Sequence, residues 1–224
     1  MIKTFTSDHF ETYKRCPKAY YYKYIKGIKF ALQKDTYKLG RSTHSLIYYH
    51  LRGLPLSKIE ANLDEITQEH WQNISQNPLL SKKLVCAEWG FDILLGENTW
   101  LNGRIDAVFE TGHQACKQYI IADWKTGENL PYNPEEKYQA MIYMYAFYKA
   151  QKDLGLEFEP HQLKFIFVST KKENLEKEIT CSGDMILEIT QNLLGMVDEI
   201  ESKRAFEPNK KSCAFCDFAQ ICAK

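Results

Sequence analysis

Two aspartates and a lysine, in the string Gly103-Arg104-Ile105-Asp106 … Asp123-Trp124-Lys125, are the residues of this chain best suited to chemistry. Asp106 sits in one β-like run, and Tyr119-Ile120-Ile121-Ala122 leads into Asp123. Strand side chains alternate between faces, so Asp123 and Lys125 share one face and Trp124 takes the other. With the two runs paired as neighbours, Asp106 faces Asp123, and two carboxylates converge with an ammonium. Such a set holds a hard divalent cation, Mg²⁺ or Mn²⁺, beside a positive side chain. A bound cation of this kind neutralises a phosphodiester oxygen and lowers the pKa of its own water, and Lys125 offsets charge that builds up in the transition state.

A second candidate set is made of sulfur. The chain has seven cysteines. Cys213, Cys216 and Cys222 crowd the C-terminus with metal-ligand spacing between the first two. A tetrahedral centre needs a fourth ligand, for which Cys16 is the best candidate, nearly the whole chain away. Four thiolates fit Zn²⁺ or an iron–sulfur centre, and spacing does not separate the two. Cys86, Cys116 and Cys181 have no motif around them and read as inert thiols. A disulfide is not expected in a cytosolic protein.

The elements that must position these groups are legible in outline. Ser7 looks like an N-cap, with Phe10, Tyr13, Cys16 and Tyr20 at helical spacing behind it, and Pro17 interrupts that helix. Further helices are expected over Tyr37–Leu51 and Ser57–Trp71, and Pro78 opens a segment reaching Cys86. Strands are expected over Ala87–Leu94, Thr99–Glu110 and Gln118–Lys125, punctuated by Gly96, Gly112 and Gly127. A helix from Pro134 to about Gln151, strands over Leu163–Ser169 and Leu175–Thr180, and a helix over Asp184–Lys203 complete the order. This is a mixed α/β pattern. It divides as one domain over 1–224, with a helical arm over 1–86, sheet and helix over 87–182, and a last helix with the cysteine tail over 183–224.

At 224 residues, with 44% hydrophobic and 26% charged, the chain has the composition of a soluble protein with one well-buried core. No run approaches the roughly 20 apolar residues that cross a bilayer, and the first residues lack a secretory-type apolar segment. A cytoplasmic location is expected. The formal net charge is zero, so binding to nucleic acid must rest on a local patch. Lys14, Arg15, Lys18, Lys23, Lys26, Lys29, Lys34 and Lys38, interleaved with Tyr13, Tyr20, Tyr21, Tyr22 and Tyr24, have the cations and rings of a single-strand channel. They equally suit a solvated helix face with a tyrosine-rich core side.

In order and spacing, Gly103–Asp106, Asp123–Lys125 and, on the next helix, Gln139–Tyr143 resemble the RecB-like branch of the PD-(D/E)XK nucleases. Asp123-Trp124-Lys125-Thr126-Gly127 is especially close. The resemblance implies a restriction-endonuclease-like α/β core, a central mixed sheet flanked by helices, with an N-terminal helical arm and a C-terminal cysteine segment. It implies Asp106, Asp123 and Lys125 as catalytic residues. The implied metal ligands are Asp106, Asp123, the backbone carbonyl of Trp124 and His44, which stands on an early helix where the branch has a histidine. Glu88 falls where another acid often lies near the metals. Gln139, Tyr143 and Glu88 would brace the site and meet substrate, although Gln139 and Tyr143 also suit a plain core face. Arg41 and Arg104 lie close to these positions.

The split cysteines are similar to the iron–sulfur subset of this branch, including AddB-like and CRISPR-adaptation nucleases. That similarity implies a 4Fe-4S cluster on Cys16, Cys213, Cys216 and Cys222 that clasps the two chain ends, with Zn²⁺ as the alternative. The function implied is a metal-dependent DNA exonuclease on single-stranded or duplex ends, in repair, recombination or CRISPR adaptation, with a helicase or CRISPR-adaptation proteins as partners. The alternative is a non-catalytic DNA-binding or assembly subunit that keeps the fold. No phosphate-binding Gly-x-x-x-x-Gly-Lys-Ser/Thr loop appears, so ATP hydrolysis by this chain is not expected.

Overall fold

Three long strands form the antiparallel meander expected ahead of the acid pair: β2 (Lys83–Gly96), β3 (Thr99–Thr111) and β4 (Gln118–Lys125). β1 (Lys3–Phe5) pairs parallel with the start of β3, which leaves the far half of that edge to β4. A crossover then brings β5 (Leu163–Ser169) parallel to β4, and β6 (Glu176–Thr180) closes the six-stranded mixed sheet antiparallel to β5. This is the computed structural model of the chain, and it describes residues 3–29, 34–60, 63–113 and 116–222.

The helices are α1 (Ser7–Arg15), α2 (Pro17–Tyr20), α3 (Lys34–Leu51), α4 (Ser57–Glu60), α5 (Glu65–Ser75), α6 (Tyr138–Ala150), α7 (Met185–Ser202) and α8 (Ala219–Cys222). They cover both faces of the sheet. On one face Phe10, Tyr143, Phe147, Leu193 and Val197 pack over Ile105, Ile121 and Phe165. On the other, Leu46 and Ile47 of α3 and Trp71 and Ile74 of α5 pack over Phe109, Ala122, Trp124 and Val168. β4 is therefore buried from Tyr119 to Trp124, as a strand covered on both sides must be, and its apolar run is continuous rather than alternating. No helix among the described residues is long and apolar enough to cross a membrane.

Several expected boundaries move. The helix expected over Ser57–Trp71 is two helices, with residues 61–62 outside the described residues; Asp64 restarts the second by accepting from the Thr67 N–H at 2.9 Å. The segment opened by Pro78 is only a short 3₁₀ turn, and β2 starts at Lys83 rather than Ala87. Pro134 likewise heads a 3₁₀ turn; α6 begins at Tyr138, whose N–H donates to Glu11 Oε1 at 2.9 Å. β1 has no signal in its three residues; it forms because the edge of β3 is free there.

In the basic, tyrosine-rich stretch the rings pack against the protein while Lys14, Arg15, Lys26, Lys29 and Lys38 are exposed. Tyr13 and Tyr20 are buried, Tyr21 stacks on Phe206, Tyr22 on Phe218 and Tyr24 on His9. Residues 30–33 of that stretch, and the side chain of Lys34, lie outside the described residues.

Candidate active site

The pairs Ala87↔Ala107 and Trp89↔Ile105 bracket Glu88 and Asp106, and Ala107↔Ala122 is the last pair before Asp106 and Asp123. Three acids thus occupy one level across β2, β3 and β4. At this level the pleat changes hand: Leu101 and Ile105 face the first core, but Ala107 and Phe109 face the second. Glu88 carries the irregularity in its backbone, with φ of 50° inside a strand, a conformation that is costly for any residue with a Cβ. The register sets the three acids opposite one another, and the distortion lies at that same level.

α3 supplies the next group. Leu46 and Ile47 anchor that helix in the core, and His44 on the adjoining face reaches the end of β4. Its Nε2 lies 3.0 Å from the Trp124 carbonyl oxygen and its Nδ1 3.4 Å from Asp106 Oδ1. Asp106 Oδ2 accepts from the Trp124 N–H at 3.0 Å. Burial alone would lower the pKa of His44, but the hydrogen bond to Asp106 and the charges of Asp106, Asp123 and Glu88 prevail and raise it. Ligand atoms of His44, Glu88 and Asp106 all lie within 4.8 Å of one another. Glu88 is also paired with Arg104 at 3.0 Å, and burial followed by the charge of Asp106 raises its pKa.

Asp123 and Lys125 share a face as the alternation requires, and Trp124 is buried in the opposite core. Asp123 is 2% exposed. Its Oδ1 accepts from Gln139 Nε2 at 2.6 Å, and its Oδ2 lies 2.6 Å from Lys125 Nζ in a close charge contact. That buried ion pair is the one polar contact of Oδ2 among the described residues. Lys125 donates to Gln139 Oε1 at 2.7 Å, and Gln139 Nε2 stands 3.3 Å from the Tyr143 hydroxyl. Burial is the main reason that the Asp123 carboxyl is pushed up to about 6; the Lys125 charge opposes it and the Asp106 charge reinforces it. Asp123 stands outside the His44–Glu88–Asp106 trio and leans toward Lys125 and Gln139.

The four cysteines also meet. Cys16, Cys213, Cys216 and Cys222 line one small cavity with Ala19, Tyr22 and Phe218. The ends are joined beside it: the Asn209 N–H donates to Cys16 Sγ at 3.3 Å, and Asn209 Nδ2 and Ser212 Oγ donate to the Arg15 carbonyl at 2.9 and 3.1 Å. Cys86 and Cys181 lie elsewhere, their thiols pushed up to about 11 by burial, and Cys116 is exposed.

The family profile of the PD-(D/E)XK nuclease superfamily matches residues 4–223. The chain belongs to that superfamily. No curated relative matches it in sequence. Among solved structures, a protein from Eubacterium rectale named "Putative exonuclease" is similar with a TM-score of 0.54 at 10% identity, covering 98% of this chain and 88% of the other. The crystal structure of SSO0001 aligns with a TM-score of 0.47 at 16% identity, covering 98% of this chain and 85% of the other. At such identity the Eubacterium rectale likeness shows the fold alone, and the mixed sheet between helices is the restriction-endonuclease-like core that the PD-(D/E)XK pattern implies.

Superfamily membership implies phosphodiester hydrolysis with divalent metals. The residues present fit such a cation. Two carboxylates and an imidazole converge, the Trp124 carbonyl adjoins the same histidine, and among the described residues the buried Asp123 Oδ2 meets only the Lys125 ammonium. Sequence reading missed the supports of this PD-(D/E)XK site. The Thr170 N–H and Oγ1 donate to the Lys125 carbonyl at 3.0 and 3.3 Å, and His70 Nδ1 lies 2.7 Å from the same Oγ1. These contacts join residues far apart in the chain and leave no local pattern.

Proposed function

We propose that the chain is a divalent-metal-dependent deoxyribonuclease, acting as one unit over 1–224 and as an exonuclease on single-stranded ends. The observation that carries this reading is the convergence of His44, Glu88 and Asp106 beside the Asp123–Lys125–Gln139 network at the edge of an open cleft. His44, Asp106, Asp123 and the Trp124 carbonyl are the proposed cation ligands, with Glu88 beside them. Bound there, Mg²⁺ or Mn²⁺ supplies charge neutralisation of the phosphate and a water of lowered pKa.

The chain's own groups do the remaining work. Lys125, half-buried and tethered to Gln139, presents an ammonium to the charge that develops on phosphate oxygen. Gln139 joins Lys125 to Asp123 and restrains both side chains. Tyr143, whose pKa burial raises strongly, stays a neutral phenol next to Gln139. Arg104 balances Glu88 where phosphate must approach. The exonuclease assignment draws on the name of the Eubacterium rectale neighbour. Repair, recombination or CRISPR adaptation, with a helicase or adaptation partner, is the proposed setting.

The cysteine quartet is proposed to hold a 4Fe-4S cluster. What supports it is that all four cysteines line one cavity and that their split layout resembles the iron–sulfur branch; Zn²⁺ is the alternative for four thiolates. Anaerobic purification followed by absorption spectroscopy and iron and zinc analysis tests this; zinc without iron overturns it. The nuclease reading is tested by digesting DNA strands blocked at either end, with Mg²⁺ or Mn²⁺. Degradation that is lost in Asp123→Ala and Lys125→Ala is expected. Failure of the wild type to cut any DNA with either metal refutes the reading.

A further inference from the structure

Along α3, Tyr37, Arg41, His44 and Tyr48 recur at helical intervals and form a single stripe. The stripe lines a cleft of about 790 Å³, with Tyr49 beside it and Arg104 across it. A candidate metal ligand therefore sits between a cation and a ring on the same helix face. Tyr37 is 61% exposed and Arg41 is exposed. Among the described residues no ion pair engages Arg41, whereas Arg104 is paired with Glu88 at 3.0 Å. The rings of Tyr48 and Tyr49 are neighbours, with centroids 5.8 Å apart. The tyrosines of the basic arm have a ring stacked on their face, with interplanar angles of 28° for Tyr21, 28° for Tyr22 and 22° for Tyr24, whereas Tyr48 and Tyr49 are tilted at 56°.

We propose that this α3 stripe is a nucleotide subsite for single-stranded nucleic acid, leading the strand to the cation site; it rests on the nuclease reading and gives that site its substrate track. Arg41 takes the phosphate adjoining the one at His44, and Tyr48 and Tyr37 stack unpaired bases on either side. The dimensions suit this. Tyr37 and Tyr48 are separated by about 16 Å along the helix axis at 1.5 Å per residue, room for more than one nucleotide. The chemistry selects against a duplex, because a tyrosine ring stacks only on a base whose face is free, whereas a guanidinium holds phosphate in either form.

The test is fluorescence anisotropy of a labelled oligothymidine and of a blunt duplex across a salt series, with Ca²⁺ in place of Mg²⁺ and melting curves to confirm folding. Tyr48→Ala is expected to weaken oligothymidine binding about tenfold, within the range of one lost stack, without changing the salt slope. Tyr48→Phe is expected to restore it, and duplex binding stays within about twofold in both. Arg41→Ala is expected to reduce the slope of log affinity against log salt by about 0.7, one phosphate contact on a single strand. An unchanged slope in Arg41→Ala, equal losses in Tyr48→Ala and Tyr48→Phe, equal losses on duplex, or no oligothymidine binding by the wild type overturns the subsite. Hydrolysis is read separately. A wild type that shows this pattern but cuts nothing keeps the subsite and loses the nuclease reading. One that degrades DNA while the variants bind normally keeps the nuclease reading and loses the subsite.

Discussion

The acid–lysine site takes His44 from α3, Glu88, Asp106 and Asp123 from adjacent strands, and Gln139 from α6, all of them anchored in continuous core. The cysteine cavity joins the two chain ends, held beside it by the hydrogen bonds of Asn209 and Ser212 onto Arg15 and Cys16. The first is organised by the sheet. Its cost is a residue at positive φ and a buried carboxylate. The second is organised by a small cluster of Cys16, Ala19 and Phe218 with Tyr22 against it, and the proposed centre on the thiols would add to that order. A loop as long as the chain is expensive to close, and a bound centre that closes it restricts the unfolded state.

Substituting one ligand in each place should break this contrast cleanly. Asp106→Ala is expected to reduce DNA hydrolysis by about 10³-fold or more, the scale of a lost electrostatic element, with only a small fall in melting temperature from the Trp124 N–H it leaves unpaired. Cys16→Ser is expected to do the reverse at first: it loses the proposed iron centre and melts lower, and activity falls only as far as the fold loosens. Melting curves, metal analysis and initial rates on one DNA strand separate the outcomes. An Asp106→Ala protein that unfolds, or a Cys16→Ser protein with unchanged iron and stability, removes the distinction between the two sites.

The same contrast shows what the sequence can disclose. Asp123-x-Lys125 was legible because strand alternation fixes it locally, and Gln139 and Tyr143 because they are four apart on one helix. The C-terminal cysteine spacing was equally local. The meander, the crossover helix and the last hairpin follow from apolar runs between turn residues. What was not legible depends on contacts between distant segments: β1 on the edge of β3, Glu11 at the start of α6, and His70 with Thr170 behind Lys125. The positive φ of Glu88 is invisible too, since glutamate gives no hint of a left-handed backbone. The tyrosines near the N-terminus carried an ambiguous signal; Tyr21 and Tyr22 pack against Phe206 and Phe218, contacts between chain ends that no local pattern shows.

Within the acid site, the buried carboxylate sharpens the idea of organisation at the expense of stability. The Asp123 carboxyl is pushed up to about 6 by burial, from an ordinary value of 3.8. The folded state therefore holds this proton more tightly than the unfolded state does. The destabilisation is complete above the folded pKa and fades as pH falls from about 6 toward 3.8. In protein treated with chelator, Asp123→Asn is expected to melt higher than wild type at pH 7.5. That advantage should shrink by pH 5. A difference that is absent, or that grows on acidification, shows that Lys125 and Gln139 fully compensate the charge.

The smallest expected effect concerns the backbone of Glu88. Its φ of 50° lies at the level where β3 changes face between Ile105 and Ala107. Glycine takes this conformation freely, and a residue with a Cβ is penalised by about 1–2 kcal/mol. Comparing Glu88→Gly with Glu88→Ala removes the carboxylate in both and leaves the backbone as the variable. The glycine variant is expected to be more stable by about 1 kcal/mol, since the greater freedom of glycine in the unfolded chain takes back part of the gain. Both variants free Arg104 from its ion pair, so a difference in melting between them cannot come from that loss. Equal melting temperatures would mean that β2 relaxes to regular pleating once the carboxylate is gone. In that case the pull of Arg104 and the site on Glu88, rather than the fold of the strand, imposes the turn.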